Sequence, residues 1–346
     1  MARPVTLFTA QWADLPFDTV CEKAKSLGYD GVEIACWGDH FEIDKAMESD
    51  AYVRSRRDIL EKHGLGVWAV STHLVGQCVT DPLDERHKSI LPKRLWGDGK
   101  EDGVRARCGE EIENTARAAK KLGIDTVVGF TGSPAWKWAY SFPPNPPDYY
   151  EKALKFVADM WLPILDVYQR EGVRYALEVH PTEIAFDTVT AGALLKALND
   201  HSAFGFNFDP SHFGYQGVDY VDFIYEFGFA GNGAEPGKGP GRIFHTHMKD
   251  VYWSPTPKKS GVFGGHLVFG DPRRYWDFRS VGRGSIKFEE IIRALNDINY
   301  TGPLSVEWED GKMEREHGAR ESAAYLKRID FAPTWVDFEA VFAAEH

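Results

Sequence analysis

Residues 174–212, RYALEVHPTEIAFDTVTAGALLKALNDHSAFGFNFDPSH, hold one complete strand–helix–strand unit. RYALEVH (174–180) and FGFNFDPSH (204–212) are short runs rich in aliphatic and aromatic residues, as buried parallel strands are. Between them TVTAGALLKALND repeats its apolar residues at helical spacing. Two strands joined through a helix must lie parallel, because a return by a tight turn is not available. Each strand carries one carboxylate towards its end, Glu178 in ALEVHP and Asp209 in FNFDPSH.

The same unit recurs in both directions. VTLFTAQW (5–12), GVEIAC (31–36), GVWAVSTHL (66–74), DTVVGFTG (125–132), RIFHTHMKD (242–250) and GPLSVEWED (302–310) bring the strand candidates to eight. FDTVCEKAKSLGYDG, YVRSRRDILEKHGLG, ENTARAAKKLGID and FEEIIRALNDINYTG are amphipathic, and several reach a glycine just before the next strand. Eight such units predict an α/β fold, a (β/α)8 TIM barrel with long loop insertions at its C-terminal face. An open doubly wound sheet is the alternative, but no strand runs into a GxGxxG or P-loop turn. Residues 1–329 are expected to form a single barrel domain and 330–346 a C-terminal extension. The long stretches 75–105, 133–147 and 251–287 follow strands and belong on the face where barrels build active sites. The glycine-rich stretch 228–241 follows a helix and belongs on the other face.

Composition narrows the function. The 346 residues carry a net charge of −12, which argues against nucleic-acid binding, since phosphate contacts need a basic footprint. Four scattered cysteines without a CxxC pair argue against a zinc ribbon or a disulfide scaffold. The N-terminus does not read as a secretion signal, and no apolar run approaches the ~20 residues that span a bilayer. A cytoplasmic enzyme acting on a small carbohydrate, with no nucleic acid and no membrane partner, is the expectation.

The chemistry sits at the ends of four successive strands. Glu178, Asp209, His247 in FHTHMKD and Glu307 in LSVEWED would each reach the same mouth of a barrel. Three carboxylates and an imidazole make a hard, oxygen-rich set for one divalent metal ion, Mn²⁺ before Mg²⁺, Co²⁺ or Zn²⁺. A carboxylate at a strand end is a poor core residue, because an unpaired buried charge is costly. The competing reading is that these acids pair with nearby Arg and Lys. His245 and His247 share a strand face, and the more C-terminal of the two is nearer the mouth. His247 is therefore taken as the ligand and His245 as packing beneath it.

The segments LEVHP, FDPSH, HTHMKD and EWED, in this order, resemble the xylose isomerase-like TIM-barrel family, which includes sugar phosphate isomerase/epimerase-type proteins. The resemblance runs from GYDGVEIA to EWED. It implies that Glu178, Asp209, His247 and Glu307 bind the metal, that Glu178 and Glu307 exchange the substrate proton, and that His212 contacts substrate. In its length, and in DFRSVGRG and EWEDGKMERE, the chain is similar to members acting on 3-keto-glycosides, including C-glycoside deglycosidase catalytic subunits that pair with a small β subunit.

The expected activity is that of a metal-dependent sugar isomerase or epimerase that abstracts a proton α to a carbonyl through a metal-stabilised enediolate. Elimination of the aglycone from a 3-keto-glycoside, a lyase reaction, is the alternative. A homo-oligomer or a small β-subunit partner is compatible with the exposed aromatics of the insertions. Further candidates are His73 as acid/base and His180, Glu33, Trp37, Lys249 and Arg283 as substrate contacts. His40, Asp250, Trp136 and Trp138 are weaker ones. Metal-dependent phosphodiester cleavage would need more histidines and a basic groove. A non-catalytic sugar-binding barrel would have no reason to keep four ligands.

Overall fold

The computed structural model describes residues 2–229 and 241–334. Among these, eight parallel strands close into a barrel: β1 (Val5–Phe8), β2 (Gly31–Ala35), β3 (Gly66–Ser71), β4 (Thr126–Gly129), β5 (Arg174–Glu178), β6 (Phe204–Phe208), β7 (Ile243–Met248) and β10 (Leu304–Val306), with β10 pairing back onto β1. The two remaining strands, β8 (Asp250–Trp253) and β9 (Trp276–Arg279), form an antiparallel ribbon within the stretch after β7.

Long crossover helices cover the barrel: α1 (Phe17–Ser26), α3 (Asp50–His63), α7 (Glu101–Leu122), α8 (Tyr149–Glu171), α9 (Thr188–Ala197), α11 (Tyr220–Gly228), α12 (Phe288–Asp297) and α13 (Arg315–Ile329). Short helices α2 (Ile43–Glu48), α4 (His73–Gly76), α5 (Glu85–Ile90), α6 (Lys93–Trp96) and α10 (Pro210–Gly214) punctuate the loops. Where α3 stops, Gly64 adopts φ 60°, a left-handed conformation that would strain a side chain.

The main apolar core lies between strands and helices. Trp161 of α8 shows how it also fixes a loop. It is fully buried, packs 4.7 Å from the Tyr175 ring and donates Nε1–H to the carbonyl of Thr131. Replacing such a residue by alanine costs roughly 3–5 kcal/mol. Tyr175 in turn donates to the Phe130 carbonyl at 2.6 Å, so the chain leaving β4 is held from beneath. Ala69, Val128, Ala176 and Phe244 form a separate small cluster. Ala69 and Ala176 each lie two residues before a polar position, Ser71 and Glu178, on the same strand face.

All eight expected strands are shorter than their sequence runs, and three of them bear on the site. The 5–12 run leaves the sheet after Phe8 and continues as a 3-10 turn, Thr9–Trp12. The 204–212 run ends at Phe208, because Asp209 caps α10 by accepting from the Ser211 amide and Pro210 starts that helix. The 302–310 run ends at Val306. Asp209 and Glu307 thus stand just past the last ladder positions, on the rim. The 75–105 stretch is largely helical: α5 is fixed by a capping box between Asp84 and His87, and α7 already begins at Glu101. The 251–287 stretch carries the β8–β9 ribbon.

The expected extension starts with an anchored residue. Asp330 accepts from the Arg3 amide at 2.6 Å and pairs with the Arg3 guanidinium. Residues 335–346, and most of the 228–241 connection, lie outside the described residues.

Candidate metal centre

Strand pairing sets the layer in which the site lies. Glu178 pairs with Asn207, Asn207 with His245, and His247 with Ser305. Above this layer the chain delivers Asp209 and Glu307. One ligand atom from each of Glu178, Asp209, His247 and Glu307 lies within 4.8 Å of the other three. Glu178, Asp209 and His247 are buried, and the Glu307 side chain is 11% exposed.

The atoms that would hold an ion lack hydrogen-bond partners. His247 Nδ1, Asp209 Oδ2 and Glu307 Oε2 are buried and unsatisfied, as is His212 Nε2 beside them. His247 Nδ1 is 2.8 Å from Glu178 Oε2 and 3.1 Å from Glu307 Oε2, yet it is aligned with neither. Atoms so close without hydrogen-bond geometry face a common point rather than each other. Buried polar atoms are otherwise almost always paired, so this donor set fits a hard divalent cation.

The electrostatics agree. Burial raises the Asp209 carboxyl to about 6, against the pull of His212. Burial also works to raise Glu307, but the Lys249 ammonium outweighs it and holds that carboxyl at about 2. Burial opposes the ionisation of Glu178 too, and His247, His212 and His73 hold it well below the carboxylate range. Against its own burial, Glu33 and Glu178 hold His247 far above the usual imidazole value. The cavity is short of positive charge and draws it from whichever groups can supply it.

His247 has a second face. Its Nε2 lies 3.0 Å from both oxygens of Glu33. Glu33, proposed from sequence as a sugar contact, is 1% exposed and lies below the mouth. It also meets His245 Nε2 at 2.7 Å, the Ser305 hydroxyl at 2.6 Å and the Ser71 hydroxyl. Glu33, His245 and His247 form a second group close enough to hold an ion, sharing His247 with the first.

An aromatic wall surrounds the upper group. Phe8 stacks on His247 at 5.2 Å and contacts Trp37 at 5.9 Å and His73 at 5.6 Å. His73 meets Phe130, Phe130 meets His180, His180 meets His212 at 4.1 Å, and His212 meets Phe278. His73 Nε2 is 3.2 Å and His212 Nε2 3.1 Å from Glu178. Burial and the neighbouring His212 keep His180 well below the imidazole range. Lys249 pairs with Glu307 at 3.3 Å and Glu309 at 3.2 Å, over the face of Phe278.

The other candidates are engaged elsewhere. Arg283 makes a bidentate surface pair with Glu321. His40 is buried between Thr9 Oγ1 and the Leu15 carbonyl. Asp250 accepts from the amides of Val251, Gly282, Gly284 and Ile286, fastening the insertion that carries β9. Trp136 lines a separate cavity of about 280 Å³ with Tyr149, Tyr150 and Phe186, and Trp138 packs on Tyr149.

The sequence reading missed several residues of the wall. Phe8 ends β1 and Phe130 directly follows the last residue of β4, positions that could have flagged them. Gln11 reaches Glu309 at 3.3 Å and Glu307 at 3.5 Å from the turn after β1. Phe278 arrives through a long insertion and carried no local signal.

Comparison with known proteins bears on the family and the fold. Residues 21–329 match the family model described as xylose isomerase-like TIM barrel. The Bacillus subtilis protein YfiH, of uncharacterised function, is 26% identical over 341 residues, covering 91% of this chain and 95% of that one. The fold is shared with the probable 3-DHS dehydratase AsbF involved in petrobactin synthesis from Bacillus anthracis: TM-score 0.63, 15% identity, 93% of this chain and 98% of that one. It is also shared with the 3-keto-D-glucoside 4-epimerase YcjR from E. coli: TM-score 0.62, 14% identity, 94% of this chain and 99% of that one. No helix among the described residues is long and apolar enough to cross a membrane.

Proposed function

The chain belongs to the xylose isomerase-like TIM-barrel family, and from that premise we propose that it is a divalent-metal-dependent sugar isomerase or epimerase that removes a proton α to a carbonyl. The observation that carries this reading is the convergence of one ligand atom each from Glu178, Asp209, His247 and Glu307, with buried atoms of the last three left unsatisfied. Those four residues would hold the ion, with Mn²⁺ the first choice for a set that mixes three carboxylates with an imidazole. A divalent ion bound there supplies Lewis acidity towards the substrate carbonyl.

The chain's own residues do the rest. Glu178 or Glu307 accepts the α proton on a carboxylate oxygen, and the C–H electron pair moves towards the carbonyl oxygen. Lys249 holds Glu307 in place and keeps it ionised. His73 and His212, each close to Glu178, would give a separate proton to, or take one from, the substrate oxygens. The wall of Phe8, Trp37, Phe130 and Phe278 excludes water from the carbanion and offers apolar faces to sugar C–H groups. Return of the proton to the same carbon from the other face epimerises; return to the neighbouring carbon isomerises.

A second reading, elimination of the aglycone from a 3-keto-glycoside, draws on one observation. The insertions after β4 and β7 meet at Tyr140 and Phe263, both largely exposed, which would suit a substrate extending beyond one sugar ring.

The test is deuterium wash-in at carbon from D₂O, with Mn²⁺ and a panel of ketoses and 3-keto-glycosides. Incorporation that disappears with chelator and in Glu307→Gln supports the proposal, and the products separate epimerase from lyase. Incorporation that persists in both would overturn it.

A further inference from the structure

Glu33 is a buried carboxylate that the proposed chemistry does not use. It lies on β2 where the β2–β3 register shifts, between Val32 and Ile34. The extra residue of that irregularity lies on β3, where Val67 and Val70 face Val32 and Ile34, so β2 itself keeps its alternation. Here the side chain points into the barrel, and its two oxygens meet His245 Nε2, His247 Nε2, the Ser71 hydroxyl and the Ser305 hydroxyl. An ionised carboxylate offers about four acceptor directions, so four donors leave none for an ion. The Glu33–His245–His247 group therefore meets the distance requirement for a metal but not the bonding requirement, in contrast to the upper group with its unsatisfied atoms.

What Glu33 can do is hold His247. Phe8 stacks on the imidazole at 5.2 Å and 27°, which fixes the plane of the ring but not which edge faces up. A carboxylate under Nε2 settles that, because it can only accept. We propose that Glu33 is a positioning residue that keeps the proton on His247 Nε2 and thereby presents the Nδ1 lone pair to the ion shared with Glu178, Asp209 and Glu307. This rests on the metal-binding reading above. His245, Ser71 and Ser305 act one step further out, by keeping Glu33 saturated and still. Carboxylates behind a ligating histidine typically support metal affinity by roughly 10–100-fold.

Calorimetric Mn²⁺ titration of the full chain tests this with Glu33→Gln beside wild type. An amide keeps the shape but can accept through its oxygen alone, and its NH₂ faces donors. The expected result is Mn²⁺ affinity weakened roughly 10–100-fold with unchanged circular dichroism. Unweakened affinity would overturn the proposal. Failure of wild type itself to bind would instead overturn the metal reading. Should Glu33→Gln not fold, ¹⁵N NMR of Zn²⁺-loaded, histidine-labelled wild type decides: a proton on His247 Nε2 with Nδ1 bare supports the proposal, and the reverse pattern overturns it.

Discussion

The two faces of His247 are built from the same kinds of group and end in opposite states. Below the ring, one carboxylate is met by two imidazoles and two hydroxyls. Above it, three carboxylates and His247 Nδ1 crowd within 4.8 Å, several of their atoms unsatisfied. Proximity of ligand-type residues is thus a weak indicator of a metal site. The stronger indicator is what remains unbonded once the protein's own donors have been counted. A closed cluster positions; an open one receives.

The largest expected effect separates the faces directly. Asp209→Asn removes a charged oxygen from the open side, and breaking a buried charge interaction costs 3–5 kcal/mol, so Mn²⁺ affinity by calorimetry should fall by about three orders of magnitude. Glu33→Gln, on the closed side, should lose one or two.

Thermal stability sharpens the contrast through its sign. Asp209 titrates at about 6 in the metal-free fold, above its ordinary 3.8, so its ionised form at neutral pH destabilises that fold. With chelator, Asp209→Asn should melt higher than wild type. With Mn²⁺ in 1,000-fold excess over the wild-type Kd, wild type gains about 4.1 kcal/mol and the order reverses. Glu33→Gln should melt lower than wild type in both conditions, since it breaks satisfied bonds. Parallel melting curves for the two variants would erase the distinction.

A third buried carboxylate offers a smaller test. Burial and nearby Asp81 raise Glu183 to about 8, although it accepts from the amides of Thr131 and Gly132. A carboxyl raised from 4.5 to about 8 contributes stability at low pH and loses it as pH rises through 8. Glu183→Gln should flatten the fall in Tm between about pH 5 and 8, by about a few degrees. An unchanged slope would show that this carboxyl does not titrate there. The smallest effect is expected from Ser305→Ala, which takes one of four donors from Glu33 and should weaken Mn²⁺ binding about threefold, near 0.6 kcal/mol.

Legibility in the sequence followed the same line. The barrel was readable because each strand–helix unit repeats its own periodicity, and the meeting of Glu178, Asp209, His247 and Glu307 in one cluster was readable because strand ends in such a barrel converge. Depth was less readable. His245 and His247 share a face, and only order along the strand placed His247 nearer the mouth. Glu33 sits mid-strand beside an irregular register, where alternation gives the face but not the layer, so the sequence alone suggests a substrate contact. Phe278 lies 31 positions beyond His247 in an insertion whose path depends on Asp250 binding four backbone amides, a contact no local pattern announces. Arg283 looked like a substrate contact in GRGSIKFEE because nothing in the sequence marks Glu321 as its partner.

The most direct measurement is anomalous diffraction from crystals soaked in Mn²⁺. One peak is expected, bounded by Glu178, Asp209, His247 Nδ1 and Glu307, with the Glu33–His245–His247 group free of metal. A peak on the Glu33 side, or none at either face at saturating Mn²⁺, would contradict that expectation.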